Sequence, residues 1–233
     1  MLSSADTNAT DKSSVVSKPD ERAWKRVTFL RHGESEANVS HLKGIRRRDP
    51  RLRDCFLTRR GVEQARAVGI HAQVEPELVV ASPLTRALAT TLLLGFDCPI
   101  VVHAGIRELG SSVPENEPRS LQELRRDRRL TCFPRFGDID FVLLGPNWPR
   151  GGDGIESFEG WLKARPETTV WVVAHCNVIF HLLNGQVDRV PNCYPLPCVL
   201  NGVGFQLIDA ALDPDASAAD FTVEETSAAH KER

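Results

Sequence analysis

Apolar and polar positions along this chain alternate between two rhythms. RVTFL, residues 26–30, is short, apolar and β-branched, and predicts a first strand. TRRGVEQARAVGIHA, from Thr58, sets Val62, Ala65, Val68 and Ala72 at helical spacing behind a capping threonine. ELVVAS predicts a second strand ending at Ser82. SPLTRALATTLLL predicts a helix that Ser82 would cap, with Pro83 at its first position. PIVVHA is a third strand, and SLQELRRDRR opens on Ser120 and Glu123 at capping-box spacing. TTVWVVAH is apolar on both faces, as a central strand would be. CNVIFHLLNG predicts a short helix, and GVGFQLID a last strand at an edge.

Strands alternating with helices predict an α/β fold, a three-layer α/β/α sandwich around a mostly parallel sheet. In such folds ligands gather beyond the carboxyl ends of the strands. Strand one ends in Arg31, His32 and Gly33, where the glycine allows the strand to break. Strand two runs into Ser82 and Pro83, with Arg86 just inside the next helix. Arg107 and Glu108 follow strand three, and TTVWVVAH ends on His175. Two histidines, two or three arginines and a carboxylate therefore meet at one rim. A cation in a helix's first turn opposes the helix dipole, at a cost of ~0.3–1 kcal/mol, unless an anion lies between it and the free amides. A neutral histidine is a capable nucleophile, and neighbouring arginines favour its neutral form while pairing with a phosphoryl group.

Composition narrows the picture. The chain has 233 residues, enough for one domain at 23–210, with a tail at 1–22 that reads as disordered and an acidic, core-poor tail at 211–233. Its formal charge of −2 predicts no bulk attraction to nucleic acid or membrane. No apolar run approaches the roughly 20 residues of a bilayer span. The N-terminal stretch lacks an apolar signal region, so a cytoplasmic location is expected. Six cysteines, irregularly spread and with no CxxC pair, are expected to be reduced structural thiols and not zinc ligands.

Four blocks in order, LRHGESEAN (30–38), SPLTRALATT (82–91), IRE (106–108) and VVAHCNV (172–178), resemble the histidine phosphatase superfamily, the phosphoglycerate-mutase-like proteins. The resemblance covers roughly residues 25–205. It implies a phosphoglycerate-mutase-like fold, His32 as the nucleophile that accepts a phosphoryl group, and Arg31, Arg86 and His175 around its oxygens. Asn38 would add a hydrogen bond, and Glu108 would protonate the leaving alcohol. Glu115 and Glu117 are reserve acids, expected in a surface loop. The resemblance implies no metal and no cofactor. The expected partner is a small phosphorylated substrate, and oligomeric state is left open. The mutases of this family resemble one another after the acid in a Tyr-Gly pair and a long basic insertion. Here LGSSVPENEPRS follows Glu108, Tyr194 is the single tyrosine, and Ala37 replaces the usual Trp before the motif's Asn. These departures favour hydrolysis over phosphoglycerate-mutase-type transfer.

Other readings are weaker. DIDFV, Asp138 to Val142, fits the DxDx[VT] pattern of magnesium-dependent aspartyl phosphatases, but Pro134 and Gly137 spoil the strand that pattern needs. No cysteine has an arginine at the spacing of cysteine phosphatases, and no P-loop is present; RGGDG reads as a turn. A non-catalytic phosphate-binding module is the alternative from another class. Basic clusters at 46–53 and 125–129 read as a solvated face or as a funnel for polyanionic substrates.

Overall fold

The computed structural model describes residues 24–44, 46, 48–109, 112–149 and 154–208. The two expected tails and most of the RGGDG turn lie outside the described residues. Seven strands form one sheet: β1 (Lys25–Arg31), β2 (Leu78–Ala81), β3 (Ile100–Val102), β4 (Ile139–Asp140), β5 (Thr169–Ala174), β6 (Pro195–Asn201) and β7 (Gly204–Leu207). Their order is β4-β3-β2-β5-β1-β6-β7. The first five in that order run parallel, while β6 is antiparallel to both β1 and β7. The expected central strand is therefore the middle one, and the expected edge strand is at the edge.

Helices cover both faces. These are α1 (Glu36–Leu42), α2 (Arg59–His71), α3 (Thr85–Leu94), α4 (Leu121–Arg126), α5 (Arg128–Thr131), α6 (Ile155–Lys163) and α7 (Cys176–Leu182). The strands' period of two sorts the core. Val79, Ala81, Trp171 and Val173 face α2, α3, α4 and α5, whereas Leu78, Val80, Val170 and Val172 face α6 and α7. Full burial of side chains such as Phe29, Leu88 and Phe158 contributes roughly 1.5–3 kcal/mol each. The result is the three-layer α/β/α sandwich. Several elements escape the periodicity reading: α1, α6, the two-residue β4, and β6.

Helix starts follow their local chemistry, with one correction. The Thr58 hydroxyl accepts from the Gly61 amide at 3.1 Å and caps α2. Ser120 and Glu123 form the expected capping box on α4. Ser82 does not cap α3, because that helix begins only at Thr85 and Leu84 offers no side-chain cap. Its cap comes from the distant Asp54, whose carboxylate accepts from the Thr85 amide at 2.8 Å and the Thr85 hydroxyl at 2.6 Å. All ten residues of α3 are buried, so the arginine in its first turn is carried into the interior.

Candidate active site

Three neighbouring strands, β2, β5 and β1, end at one level. The His32 amide donates to the Ala174 carbonyl at 3.1 Å and the Ser82 amide to the Val173 carbonyl at 3.0 Å, which aligns the segments carrying His32, Ser82 and His175. The two imidazoles are in contact, with ring centroids 5.1 Å apart. Arg86 reaches them from α3. Its Nε donates to His32 Nε2 at 3.1 Å, its Nη1 to the Glu115 carbonyl at 2.5 Å and its Nη2 to Asn116 Oδ1 at 2.9 Å. Arg31 lies beside them, with Nη1 donating to the Val190 carbonyl at 2.9 Å.

The hydrogen bonds fix the tautomer of His32. A carbonyl oxygen only accepts, so the 2.7 Å contact between His32 Nδ1 and the Gly33 carbonyl places the ring hydrogen on Nδ1. Nε2 is left with its lone pair, facing the Arg86 guanidinium. Burial, then the charges of Arg86 and Arg31, hold the His32 pKa well below 6.5, outweighing the Gly33 contact. His175 is lowered in the same way, by burial first and then by Arg86, His32 and Arg31. Its Nε2 meets the Ser82 hydroxyl at 2.7 Å. When that hydroxyl donates, the ring hydrogen sits on Nδ1. His175 Nδ1 and Arg31 Nε are both buried and have no hydrogen-bond partner among the described residues.

Gly33 acts by close approach. A Cβ on it would lie 2.5 Å from the Gly61 carbonyl oxygen, and one on Gly61 would lie 2.1 Å from the Glu34 carbonyl oxygen, so two facing glycines seat the strand end on α2. The Gly33 amide donates to Thr90 Oγ1 at 3.0 Å, and that hydroxyl donates to the Arg86 carbonyl at 2.8 Å. Asn192 Nδ2 donates to the His32 carbonyl at 2.7 Å and lies 3.5 Å from Asn38 Oδ1. Asn38 is otherwise engaged locally, accepting from the Ser35 amide at 3.0 Å.

Glu108 is partly buried near the arginine pair. Burial raises its pKa above the usual carboxylate value, against the charge of Arg86, the Leu109 amide, Arg31 and Asn177. The Leu109 amide donates to it at 2.9 Å. Arg107 is exposed and follows the 3-10 turn Ala104–Ile106, beyond the end of β3. Glu115, expected in a surface loop, is buried, because its short 3-10 turn (Pro114–Asn116) packs over Arg86. Glu117 is exposed and paired with Arg53 at 2.8 Å. Asp138 and Asp140 sit at the sheet margin, and both are exposed.

Residues the sequence reading passed over build the support. Asp54 is fully buried, caps α3 next to Arg86 and pairs with Arg119 Nε at 3.0 Å, while Arg119 Nη1 reaches Asp127 at 2.8 Å. Thr90, Val190 and Asn192 complete it, whereas Ser82, expected as a helix cap, meets His175 instead. Their partners are far away in sequence, so local spacing carries no signal for them. All six cysteines are free. Among the described residues no group of three or more His, Cys, Asp or Glu is placed to hold a metal ion. Among them, too, no helix is long and apolar enough to cross a membrane.

Comparison with known proteins bears on the fold and the family. The structure called mycobacterial hydrolase 1 is 20% identical, aligns over 79% of this chain and 96% of that one, and has a TM-score of 0.51, a likeness of fold. A phosphoserine phosphatase from Entamoeba histolytica in complex with 3-phosphoglyceric acid is 21% identical over 79% of this chain and 95% of that one, with a TM-score of 0.49. The alpha-ribazole phosphatase from Shigella flexneri is 22% identical over 78% and 94%, also at 0.49. A search of the curated proteins gave no match. The family model for the histidine phosphatase superfamily, branch 1, matches residues 27–193, a span that takes in both histidines, Arg86 and Glu108, and the chain belongs to that superfamily.

Proposed function

We propose that the protein hydrolyses phosphomonoesters through a phosphohistidine on His32, without a metal ion. The observation that carries this reading is the His32 tautomer: Nδ1 is committed to the Gly33 carbonyl, and Nε2 presents a lone pair beside Arg86. In the first step Nε2 attacks phosphorus, the P–O ester bond breaks, and Glu108 gives its proton to the departing oxygen. In the second step the Glu108 carboxylate takes a proton from water, whose oxygen attacks phosphorus as the N–P bond breaks. One water is consumed, and inorganic phosphate leaves.

Phosphoryl transfer passes through a loose transition state with charge spread over three oxygens, so catalysis consists mainly of positioning and neutralisation. Arg31 and Arg86 supply that neutralisation, and the neutral His175 adds a hydrogen-bond donor. The buried Arg31 Nε and His175 Nδ1, which lack partners among the described residues, are the donors that phosphoryl oxygens would engage. Asn38 and Asn192 border the same loop. Hydrolysis is favoured over mutase-type transfer because the segment after Glu108 lacks the Tyr-Gly pair. The six free cysteines are compatible with a reducing, cytoplasmic setting.

The test is turnover of a generic aryl phosphate. His32→Ala is expected to abolish it, and a chelator to leave the parent protein's rate unchanged. Undiminished turnover by His32→Ala removes the proposed mechanism, and loss of activity on chelation removes its metal independence.

A further inference from the structure

Arg86 is buried, and every acceptor that holds its guanidinium is neutral. Nε faces the His32 imidazole, Nη1 the Glu115 carbonyl and Nη2 the side-chain oxygen of Asn116. Among the described residues it forms no ion pair. We propose that Asn116 is a positioning residue for phosphoryl transfer: its side-chain oxygen aims the Arg86 guanidinium at the phosphoryl group while leaving the positive charge uncompensated. The inference rests on the reading of His32 as nucleophile and Arg86 as phosphate ligand, and Asn116 acts through Arg86 without touching the ester.

A guanidinium offers five N–H donors in one plane. Glu115 and Asn116 take one from each terminal nitrogen and Nε points at His32, so two remain for phosphoryl oxygens. Acceptors on both terminal nitrogens fix the orientation of the plane as well as its place. An entering phosphoryl group takes the Nε hydrogen onto one of its oxygens and frees the His32 lone pair, while the terminal nitrogens stay on the turn. A carboxylate at position 116 would hold the same geometry but neutralise the charge that attracts a phosphate dianion. An amide holds the geometry alone.

The turn that presents Asn116 is itself anchored. Pro114 stands at its start, and the Asn116 amide donates to the carbonyl of the buried Val113 at 2.9 Å. The Asp54 amide donates to the Pro114 carbonyl at 3.0 Å, and the Asp54 carboxylate caps α3 at Thr85. Asp54, at a left-handed φ of 39°, thus ties the base of Arg86 and the turn that receives its tip. Asn116 is only half-buried, so its replacement spares the core.

A double-mutant cycle in the full chain tests this, with kcat and KM read on one aryl and one alkyl phosphate. Asn116→Ala is expected to lower kcat/KM on the order of tenfold, the effect of one hydrogen bond to a charged group. The loss should be equal for both esters, because it falls on the phosphoryl group and not on the leaving oxygen. In an Arg86→Ala background the same replacement should change nothing further. Asn116→Asp keeps the acceptor, so it should hold kcat near the parent value and raise KM instead, the mark of weakened ground-state and transition-state binding alike. If Arg86→Ala turns over too slowly to measure, the contrast between the alanine and aspartate variants decides. Asn116→Ala as active as the parent, a loss that persists in full without Arg86, or an aspartate variant that matches alanine in both constants overturns the positioning role and leaves the phosphatase reading standing. Undiminished turnover by His32→Ala overturns both.

Discussion

Replacing Asp54 by alanine removes the far-off cap of α3 and the partner of Arg119 in one step. Three hydrogen bonds disappear, from the Thr85 amide, the Thr85 hydroxyl and Arg119 Nε. Removing one partner of a buried ion pair costs about 3–5 kcal/mol, because the remaining charge stays desolvated. Here the lower end applies, since Arg119 still has Asp127 at 2.8 Å and is slightly exposed. About 3 kcal/mol is a large share of the ~5–15 kcal/mol that holds a domain folded. For a domain of this size each kcal/mol moves Tm by roughly 2–4 °C, so thermal melts followed by circular dichroism should fall by about 6–12 °C. Asp54→Asn keeps an acceptor for the Thr85 amide but loses the charge, and its melt should fall between the two. Activity should fall as well, because Arg86 is the residue after Thr85 and its guanidinium is aimed from the first turn of α3. A Tm within about 2 °C of the parent protein would refute the claim that this buried carboxylate organises the helix start.

Two further outcomes follow from the site. Glu108→Gln should slow esters of poorly leaving alkyl alcohols by ~10²–10⁴-fold and aryl esters far less, in steady-state rates across a series of leaving groups; equal losses would move the acid elsewhere. Stability should fall on mild acidification. Both His32 and His175 have folded pKa values below 6.5, so below about pH 6.5 the unfolded chain takes up protons that the folded one refuses. Each histidine then costs up to about 1.4 kcal/mol per pH unit, and above pH 6.5 the contribution is flat. Urea denaturation from pH 7.5 to pH 5 measures this, and a stability that rises over that interval contradicts it. The lowered carboxylates Glu123 and Asp127, each at about 2, lose their contribution only at lower pH.

Where the chain's own pattern was strong, it was readable. TTVWVVAH is apolar on both faces because β5 lies in the middle of the sheet, and α2 carries both its cap and its apolar stripe locally. β6 was illegible for a physical reason. Proline cannot donate to a ladder, yet β7 pairs only from Cys198 onward, and on that side Pro197 serves only as an acceptor, its carbonyl taking the Ile208 amide at 3.0 Å. The site divides in the same way. Arg31, His32, Arg86 and His175 stand at segment ends, which periodicity locates. Asp54 supports α3 from 31 residues away, and Asn192 holds the His32 carbonyl from 160 residues away. Such contacts are products of the fold and have no local spacing. Glu115 was misread because a Pro-rich stretch looks like exposed loop until a buried arginine is found bonded to its carbonyl.

The central claim is that the lone pair on His32 Nε2 takes the phosphoryl group. Rapid quenching of the protein during turnover of a labelled phosphate ester measures this directly. The account predicts protein-bound phosphate that is stable to base, labile to acid and mapped to His32. Turnover with no such adduct, or with the phosphate on another residue, would contradict it.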